Sequence, residues 1–233
     1  MSARDTLASL PAGRREAYLR EHSGLPGPRA NLDLAQAAAE VGDEPTFGRW
    51  LAGPDEYLAL CGAIGLGRLI AEGTHRLWPR LRAAAEDGRW RVREGVAMGL
   101  QRVGDVDTDA LLDEIGTWLD GPPLVRRAVV AGICEPRLLR RPAVGRRAVD
   151  LVETVTASLL AEPDRRAGDV RVLRQALGYC WSVAVAARPD EGLPAFERLE
   201  SLDDPDAAWI VRENRKKKRL LHMLNGRGPG TLA

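Results

Sequence analysis

Two eight-residue stretches of the chain follow one pattern: residues 87–94 read Asp-Gly-Arg-Trp-Arg-Val-Arg-Glu, and residues 206–213 read Asp-Ala-Ala-Trp-Ile-Val-Arg-Glu. The copies begin 119 residues apart and share an Asp, a Trp and the ending Val-Arg-Glu. A pattern that returns in this way indicates an internal repeat. Repeats of a supersecondary unit are the sequence signature of stacked helical hairpins.

Weaker copies of the pattern lie between these two. Residues 120–127 read Asp-Gly-Pro-Pro-Leu-Val-Arg-Arg, and residues 169–171 read Asp-Val-Arg at the start of another helical stretch. The valines at 92, 125, 170 and 211 are therefore spaced by 33, 45 and 41 residues. These spacings fall in or near the range of two-helix solenoid repeats.

The pattern has a local physical basis at the start of a helix. Its Asp can cap the helix by accepting backbone hydrogen bonds, and we expect its Trp and Val to point inward. Periodicity and Pro/Gly breakers predict helices throughout, and no sheet, because no segment alternates polar and apolar residues. The predicted helices span about residues 12–22, 31–41, 44–52, 55–72, 77–86, 89–103, 108–119, 122–133, 144–161, 169–187, 192–201 and 206–224.

Across residues 30–224 the chain resembles the HEAT-repeat family, and residues 87–94, 124–128 and 206–213 carry the resemblance. It implies an all-α fold, an α-solenoid of about five to six HEAT-like antiparallel hairpins in a curved superhelix with a concave binding face. We expect an N-terminal segment and loop at 1–30, the repeat domain at 31–225 and a disordered tail at 226–233. Because HEAT repeats serve many roles, the fold alone does not identify the function.

Composition and spacing exclude several classes of protein. Aromatic residues make up 5% of the chain, fewer than a β-sandwich normally has. The sequence contains no apolar stretch long enough to span a membrane and no secretory signal. Cys61, Cys134 and Cys180 are far apart, which predicts buried free thiols and a cytoplasmic location. The glycines at 61–67 match no phosphate loop, and no metal-ligand spacing occurs, so we expect no metal and no cofactor.

The net charge of +1 conceals an asymmetry, because residues 1–120 have a net charge of −5 and residues 121–233 of +6. The strongest candidate binding element is a C-terminal basic run, which contains all three lysines of the protein. Its cations are Arg212, Arg215, Lys216, Lys217, Lys218 and Arg219. The run has two interpretations: a polar cap on the last repeat, or a cap that also binds an anion. Asn214 favours the second, because a solvated cap has no need of Asn within a helix.

A second basic cluster lies in the same positive half of the chain. It follows a Pro/Arg-rich loop and consists of Arg137, Arg140, Arg141, Arg146 and Arg147. Two such clusters could hold a nucleic-acid backbone through release of its counterions.

Two functions from different classes fit these features. The first is a scaffold that binds a protein partner on its concave face, with no catalysis. The second is binding of duplex DNA, since the chain is also similar in architecture to the HEAT-like alkylpurine DNA glycosylases of the AlkD and AlkC type. That family places an Asp and Trp residues against the damaged nucleotide. Asp87, Asp120 and Asp206 lie near tryptophans here, but no catalytic residue is assigned. We expect most of the six tryptophans at hairpin interfaces.

Overall fold

The computed structural model of the chain describes residues 2–226, and these residues form helices and no strand. The all-α prediction is therefore confirmed for the described part of the chain. The tail predicted at 226–233 lies, beyond its first residue, outside that part. The α-helices are α1 (Ala3–Ser9), α2 (Ala12–Glu21), α3 (Leu32–Val41), α4 (Glu44–Ala52), α5 (Glu56–Ala71), α6 (Trp78–Ala84), α7 (Trp90–Val106), α8 (Thr108–Gly116), α9 (Pro123–Ile133), α10 (Pro142–Leu160), α11 (Gly168–Ala187), α12 (Pro189–Glu200), α13 (Pro205–Arg215) and α14 (Lys218–Gly226), with 3₁₀ turns at His75–Leu77 and Leu138–Arg140.

Helix α1 was not predicted from the sequence. It begins with a capping box, in which the Ser2 hydroxyl accepts from the Asp5 N–H at 3.1 Å and the Asp5 carboxylate accepts from the Ser2 N–H at 3.0 Å. This reciprocal pair satisfies two of the backbone donors that a helix start leaves open.

The single helix predicted over 206–224 is also wrong. The structure has a break, in which the Lys217 N–H donates to the Asn214 carbonyl at 2.9 Å in a tight turn. Five consecutive cations from 215 to 219 repel one another along a continuous helix, and the turn lets their side chains diverge.

The chain divides into two compact units, Met1–Leu111 and Leu112–Ala233. In the first unit, α3 and α5 run parallel. At the start of α5 the Tyr57 hydroxyl donates to the Asn31 carbonyl at 2.6 Å. Near the end of α5, Arg68 donates to the carbonyls of Ala39 and Gly42 at 2.6 and 2.8 Å. The contacts follow the same order along both helices, which fixes their relative direction.

Helices α5 and α7 are also parallel, and glycines bring their backbones together. A Cβ on Gly95 would lie 2.8 Å from the Leu60 carbonyl oxygen, and one on Gly99 would lie 2.9 Å from that of Ala63. One turn further along, a Cβ on Gly67 would overlap the backbone of Gly99. The glycine cluster at 61–67 therefore serves helix packing, as its sequence context indicates.

Helix α4 packs against α5 in the opposite direction. The Phe47 ring of α4 lies against Gly65 of α5, whereas Leu51, one turn later in α4, lies against the earlier Gly62. In the first unit, α3, α5 and α7 thus run parallel, and α4 runs antiparallel to them.

The second unit repeats this arrangement. Helices α10 and α12 are parallel, because Arg146 pairs with Glu191 at 3.2 Å and, seven residues later on both helices, Glu153 pairs with Arg198 at 2.7 Å. Helix α11 is antiparallel to α10: the indole N–H of its Trp181 donates to Thr156 of α10 at 2.9 Å, while the Arg188 side chain that follows α11 lies beside Gly145, near the start of α10.

Helices α11 and α13 are parallel as well. Arg174 in the first half of α11 pairs with Asp206 at the start of α13. Further along both helices, the Ser182 N–H of α11 donates to the Asn214 side chain of α13 at 2.8 Å. Helix α11 packs against α9, α10, α12, α13 and α14, so it is the central helix of this unit.

The repeated valines occupy matching positions in three helices. Val92, Val125 and Val170 are each the third residue of their helix, and all three are buried. Val211, in contrast, is the seventh residue of α13. Asp204 caps this helix, so α13 begins about one turn earlier relative to its valine than the other three helices do. The fourth copy is therefore shifted by about one turn relative to the other three.

The prediction that the Asp of the pattern caps its helix is wrong for both full copies. Asp87 accepts hydrogen bonds from the backbone and side chain of Arg89, and no side chain caps α7. Asp206 lies buried inside the first turn of α13, where it pairs with Arg174 and, at 3.3 Å, with Arg165. In both copies a nearby arginine binds the carboxylate in place of the free backbone donors.

The tryptophan of the first copy does not point inward as expected. Trp90 is 51% exposed, and the buried place in the first turn of α7 is taken by Arg91, whose guanidinium carbon lies 4.1 Å from the Trp90 ring centroid. Trp209 of the second copy is half-buried, and three tryptophans outside the pattern, Trp50, Trp118 and Trp181, are buried.

We predict that Gly67→Ala lowers the free energy of unfolding by about 1–3 kcal/mol, because the added methyl group must push α7 away from α5. Urea denaturation followed by circular dichroism measures the change. The matched control is Gly13→Ala in α2, whose Cβ meets no atom within 4 Å, so that Ala is neutral or stabilising there. Equal effects at both positions would contradict the close packing of α5 and α7.

Candidate binding surface

The predicted C-terminal basic run lies in the second unit, across the end of α13, the following turn and the start of α14. Because α13 ends at Arg215 and α14 begins at Lys218, the run changes direction at its middle. The exposed cations of the run are Arg212, Arg215, Lys216 and Lys218, and the half-buried ones are Lys217 and Arg219.

A tyrosine of α11 lies beneath this turn. The Tyr179 ring is 43% exposed, with Lys217 Nζ 5.6 Å and the Arg219 guanidinium carbon 4.9 Å from its centroid. Arg219 also donates to the Tyr179 hydroxyl at 2.9 Å. Cations at these distances are attracted by the ring quadrupole, so the ring holds two positive charges close together at the surface.

Two glutamates lie within the same surface. Arg215 pairs with Glu200 at 2.6 Å, and Lys216 pairs with Glu213 at 2.6 Å. The hydrogen bond from Lys216 lowers the pKa of Glu213, so this carboxylate stays ionised at neutral pH. The surface therefore has a positive centre at Tyr179 with negative charges among its outer cations.

Asn214, which the sequence marked as unusual within the run, has a structural role. Its side chain is fully buried, accepts from the Ser182 N–H at 2.8 Å and donates to the carbonyls of Leu177 and Ile210 at 2.9 and 2.8 Å. It therefore ties α13 to α11, and this structural role explains an Asn within the helix without an anion-binding role.

The second basic cluster surrounds the start of α10. Arg137 pairs with Glu135 at 3.1 Å, and Arg146 pairs with Glu191 at 3.2 Å. Hydrogen bonds from Arg188 lower the pKa of Glu191 to about 2, so this carboxylate is ionised at neutral pH and offsets part of the charge of Arg146. All five members are exposed, namely Arg137, Arg140, Arg141, Arg146 and Arg147.

Both clusters lie toward the same end of the second unit. The basic run follows the end of α13, which is parallel to α11, while the second cluster begins α10, which is antiparallel to α11. The run contacts α11 at Tyr179, and Arg146 of the second cluster pairs with Glu191 near the start of α12, the helix that follows α11.

Sequence reasoning missed Tyr179 as a member of this surface. A signal was present, because Arg171, Gln175 and Tyr179 are four residues apart and all three are exposed. Residues at this spacing share one face of a helix. The contacts of Tyr179 with Lys217 and Arg219 join residues about 40 positions apart, and no local pattern reports them.

The carboxylates considered for glycosylase chemistry are held by arginines in two of three cases. The hydrogen bond from the Arg89 side chain lowers the pKa of Asp87, and Asp206 is buried between Arg165 and Arg174. Asp120 is exposed on the loop before α9.

The predicted buried free thiols are confirmed for Cys61, Cys134 and Cys180. Burial raises the pKa of Cys61, and a hydrogen bond with Cys180 together with burial raises that of Cys134. Cys180 Sγ lies 3.5 Å from the Val130 carbonyl oxygen. Thiols in this state are poor nucleophiles.

Comparison with known proteins gives no family for the chain: no protein-family model matches it, and no curated protein matches it significantly. In the part of the chain that the structure describes, no helix combines the length and the apolar character needed to cross a lipid bilayer.

We predict that Asn214→Ala lowers the free energy of unfolding by about 1–3 kcal/mol, because the Ser182 N–H and the Leu177 carbonyl lose a buried partner. Chemical denaturation monitored by tryptophan fluorescence measures the loss. Gln175→Ala, an exposed change on α11, is the control and should leave stability within about 0.5 kcal/mol. A stable Asn214→Ala protein would mean that this side chain does not join α13 to α11.

Proposed function

We propose that the chain is a HEAT-like α-solenoid module that binds a protein partner and has no catalysis of its own. The architecture is supported by the direction of its helices: α3, α5 and α7 run parallel, as do α10 and α12, and α11 and α13, while α4 is antiparallel to α5 and α11 is antiparallel to α10. Stacked two-helix repeats produce this alternation. The matching positions of Val92, Val125 and Val170 support it further. The buried thiols fit the cytoplasmic location that we propose.

The basic surface around Tyr179 is the proposed binding site, and an acidic segment of a protein is its proposed ligand. The observation that carries this choice is the pattern of charge. Lys217 and Arg219 form a positive centre on the Tyr179 ring, whereas Glu200 and Glu213 lie within the surrounding cations. A protein segment can place single acidic side chains at the centre and its own cations opposite the glutamates. Such complementarity provides specificity.

Duplex DNA is the second candidate ligand. It is favoured by the two clusters of cations at one end of the second unit and by the exposed ring of Tyr179, on which a base extruded from the duplex could stack. The glutamates of the surface disfavour binding of DNA, because a continuous phosphate backbone would pass close to their negative charges. If DNA is the ligand, we propose that the chain binds it without excising a base, because arginines already bind the Asp87 and Asp206 carboxylates.

Fluorescence anisotropy with two labelled probes tests the proposal: a peptide of about 12 residues rich in Asp and Glu, and a duplex of about 20 base pairs. We expect the peptide to bind, and the double variant Lys217→Gln/Arg219→Gln to bind it about 5–30-fold more weakly, because both central charges are lost. The control is Arg4→Gln/Arg14→Gln, which removes two exposed cations from the first unit.

Salt dependence separates the two ligands. Binding of duplex DNA falls steeply with salt because counterions return to the phosphates, whereas a few ion pairs with a peptide give a shallower slope. Tighter binding of the duplex, with a steep slope and sensitivity to the same double variant, would replace the protein partner by DNA. Binding of neither probe, or equal loss in the control variant, would overturn the proposed site.

A further inference from the structure

The first unit contains an open cavity of about 640 Å³ that the proposed function does not use. It lies where α5 and α7 begin, and the loop between α2 and α3 forms its opposite wall. Cavities of this size are typical of small-molecule sites. Its charged lining residues are Arg20, Asp55, Glu56 and Arg91, and its apolar ones include Leu25, Pro26, Pro28 and Trp90.

Arg91 is the positive group that the cavity leaves available. Its residue is only 5% exposed, and its guanidinium lies 4.1 Å from the Trp90 ring centroid. The nearest carboxylate, that of Glu94, is 3.8 Å away, which is beyond hydrogen-bond distance. Among the residues described, none accepts a hydrogen bond from this guanidinium, which pairs with Glu94 only at long range, and Arg91 belongs to the lining of the cavity. A buried arginine in this state matches a carboxylate, which accepts two parallel hydrogen bonds from it.

Glu56 is the negative group that remains available. One carboxylate oxygen lies 3.4 Å from the Arg91 backbone nitrogen, which places the group beside the start of α7. The other two charged lining residues, Arg20 and Asp55, pair with each other at 3.0 Å. Apart from this ion pair, the charged residues of the lining are Arg91 and Glu56, which lie close together in the cavity.

The apolar part of the lining lies next to these two groups. Half of the Trp90 side chain is exposed at the cavity, and the loop carrying Leu25, Pro26 and Pro28 faces it. The loop is fixed in place, because Ser23 Oγ accepts from the Leu25 N–H at 3.1 Å and the Asn31 N–H donates to the Ser23 carbonyl at 2.8 Å. An apolar side chain of a ligand could pack between this loop and the indole ring.

We propose that this cavity binds a small zwitterion, a free amino acid with an apolar side chain. Its carboxylate accepts hydrogen bonds from the Arg91 guanidinium, its ammonium group donates to the Glu56 carboxylate, and its side chain packs on Trp90. A ligand with one charge of each sign matches Arg91 and Glu56, whereas a ligand with a single charge desolvates the other of these two groups without giving it a hydrogen-bond partner.

Isothermal titration calorimetry with three probes tests this proposal: L-phenylalanine, N-acetyl-L-phenylalanine, which lacks the ammonium group, and L-phenylalaninamide, which lacks the carboxylate. We expect L-phenylalanine to bind and each blocked compound to bind at least about tenfold more weakly, since each loses one charged hydrogen-bonding group. Equal affinity for a blocked compound would overturn the zwitterion, and no heat from L-phenylalanine at about 10 mM would overturn the site.

Variants assign each charge to its residue. Glu56→Gln should weaken L-phenylalanine about tenfold and leave N-acetyl-L-phenylalanine unchanged, because only the first has an ammonium group to lose. Trp90→Leu, a change at an exposed side chain, should weaken every probe. Glu86→Gln, the same substitution at an exposed position outside the cavity, is the control. If Glu56→Gln weakens both compounds equally, or Glu86→Gln acts like it, the assignment of Glu56 is wrong. These outcomes do not depend on the acidic-peptide site, which lies in the other unit.

Discussion

The close approach of α5 and α7 at Gly67 and Gly99 is the constraint on which the first unit depends. Backbones that meet without side chains between them fix both the distance and the register of the two helices. Because the helices are parallel and in register, they begin side by side, and Glu56 of one comes to lie beside Trp90 and Arg91 of the other. The proposed amino-acid cavity is therefore a direct consequence of how the glycines pack.

In the second unit, buried polar contacts set the register instead. Asp206 and Asn214 of α13 bind Arg174 and Ser182 of α11, and a shift of one turn would leave all these groups unpaired in the interior, at a high cost in free energy. The same register places the turn after α13 over Tyr179. The surface that we propose for an acidic partner thus depends on hydrogen bonds that themselves contact no ligand.

Much of the fold could be predicted from local sequence, and the candidate sites much less. Proline and glycine breakers located most helices, and the repeated Val-Arg pair identified the buried third position in α7, α9 and α11. The capping box of Ser2 and Asp5 is a local sequence signal for α1, because a Ser followed three residues later by an acidic residue is typical of a helix start. The break after Arg215 was harder to predict, because Lys and Arg are each good helix formers and only their mutual repulsion and the anchoring of Asn214 act against the helix.

The functional residues escaped prediction for a physical reason: their roles arise from contacts distant in sequence. The sequence predicts Asp87 and Asp206 as helix caps, whereas in the structure Arg89, Arg165 and Arg174 bind their carboxylates. It predicts Trp90 as a core residue, whereas in the structure the neighbouring Arg91 occupies the buried position. Periodicity reports which residues share a face of a helix, but it does not report what lies opposite that face.

The parallel direction of alternate helices is the central claim, and spin-label distances measured by electron paramagnetic resonance test it most directly. Labels at Glu72, just after the end of α5, and Val106, at the end of α7, should be closer than labels at Glu72 and Trp90, at the start of α7. A helix of 17 residues is about 25 Å long at 1.5 Å per residue, so the second distance should exceed the first by about 15–20 Å. The reverse order would show that α5 and α7 are antiparallel and would contradict the account.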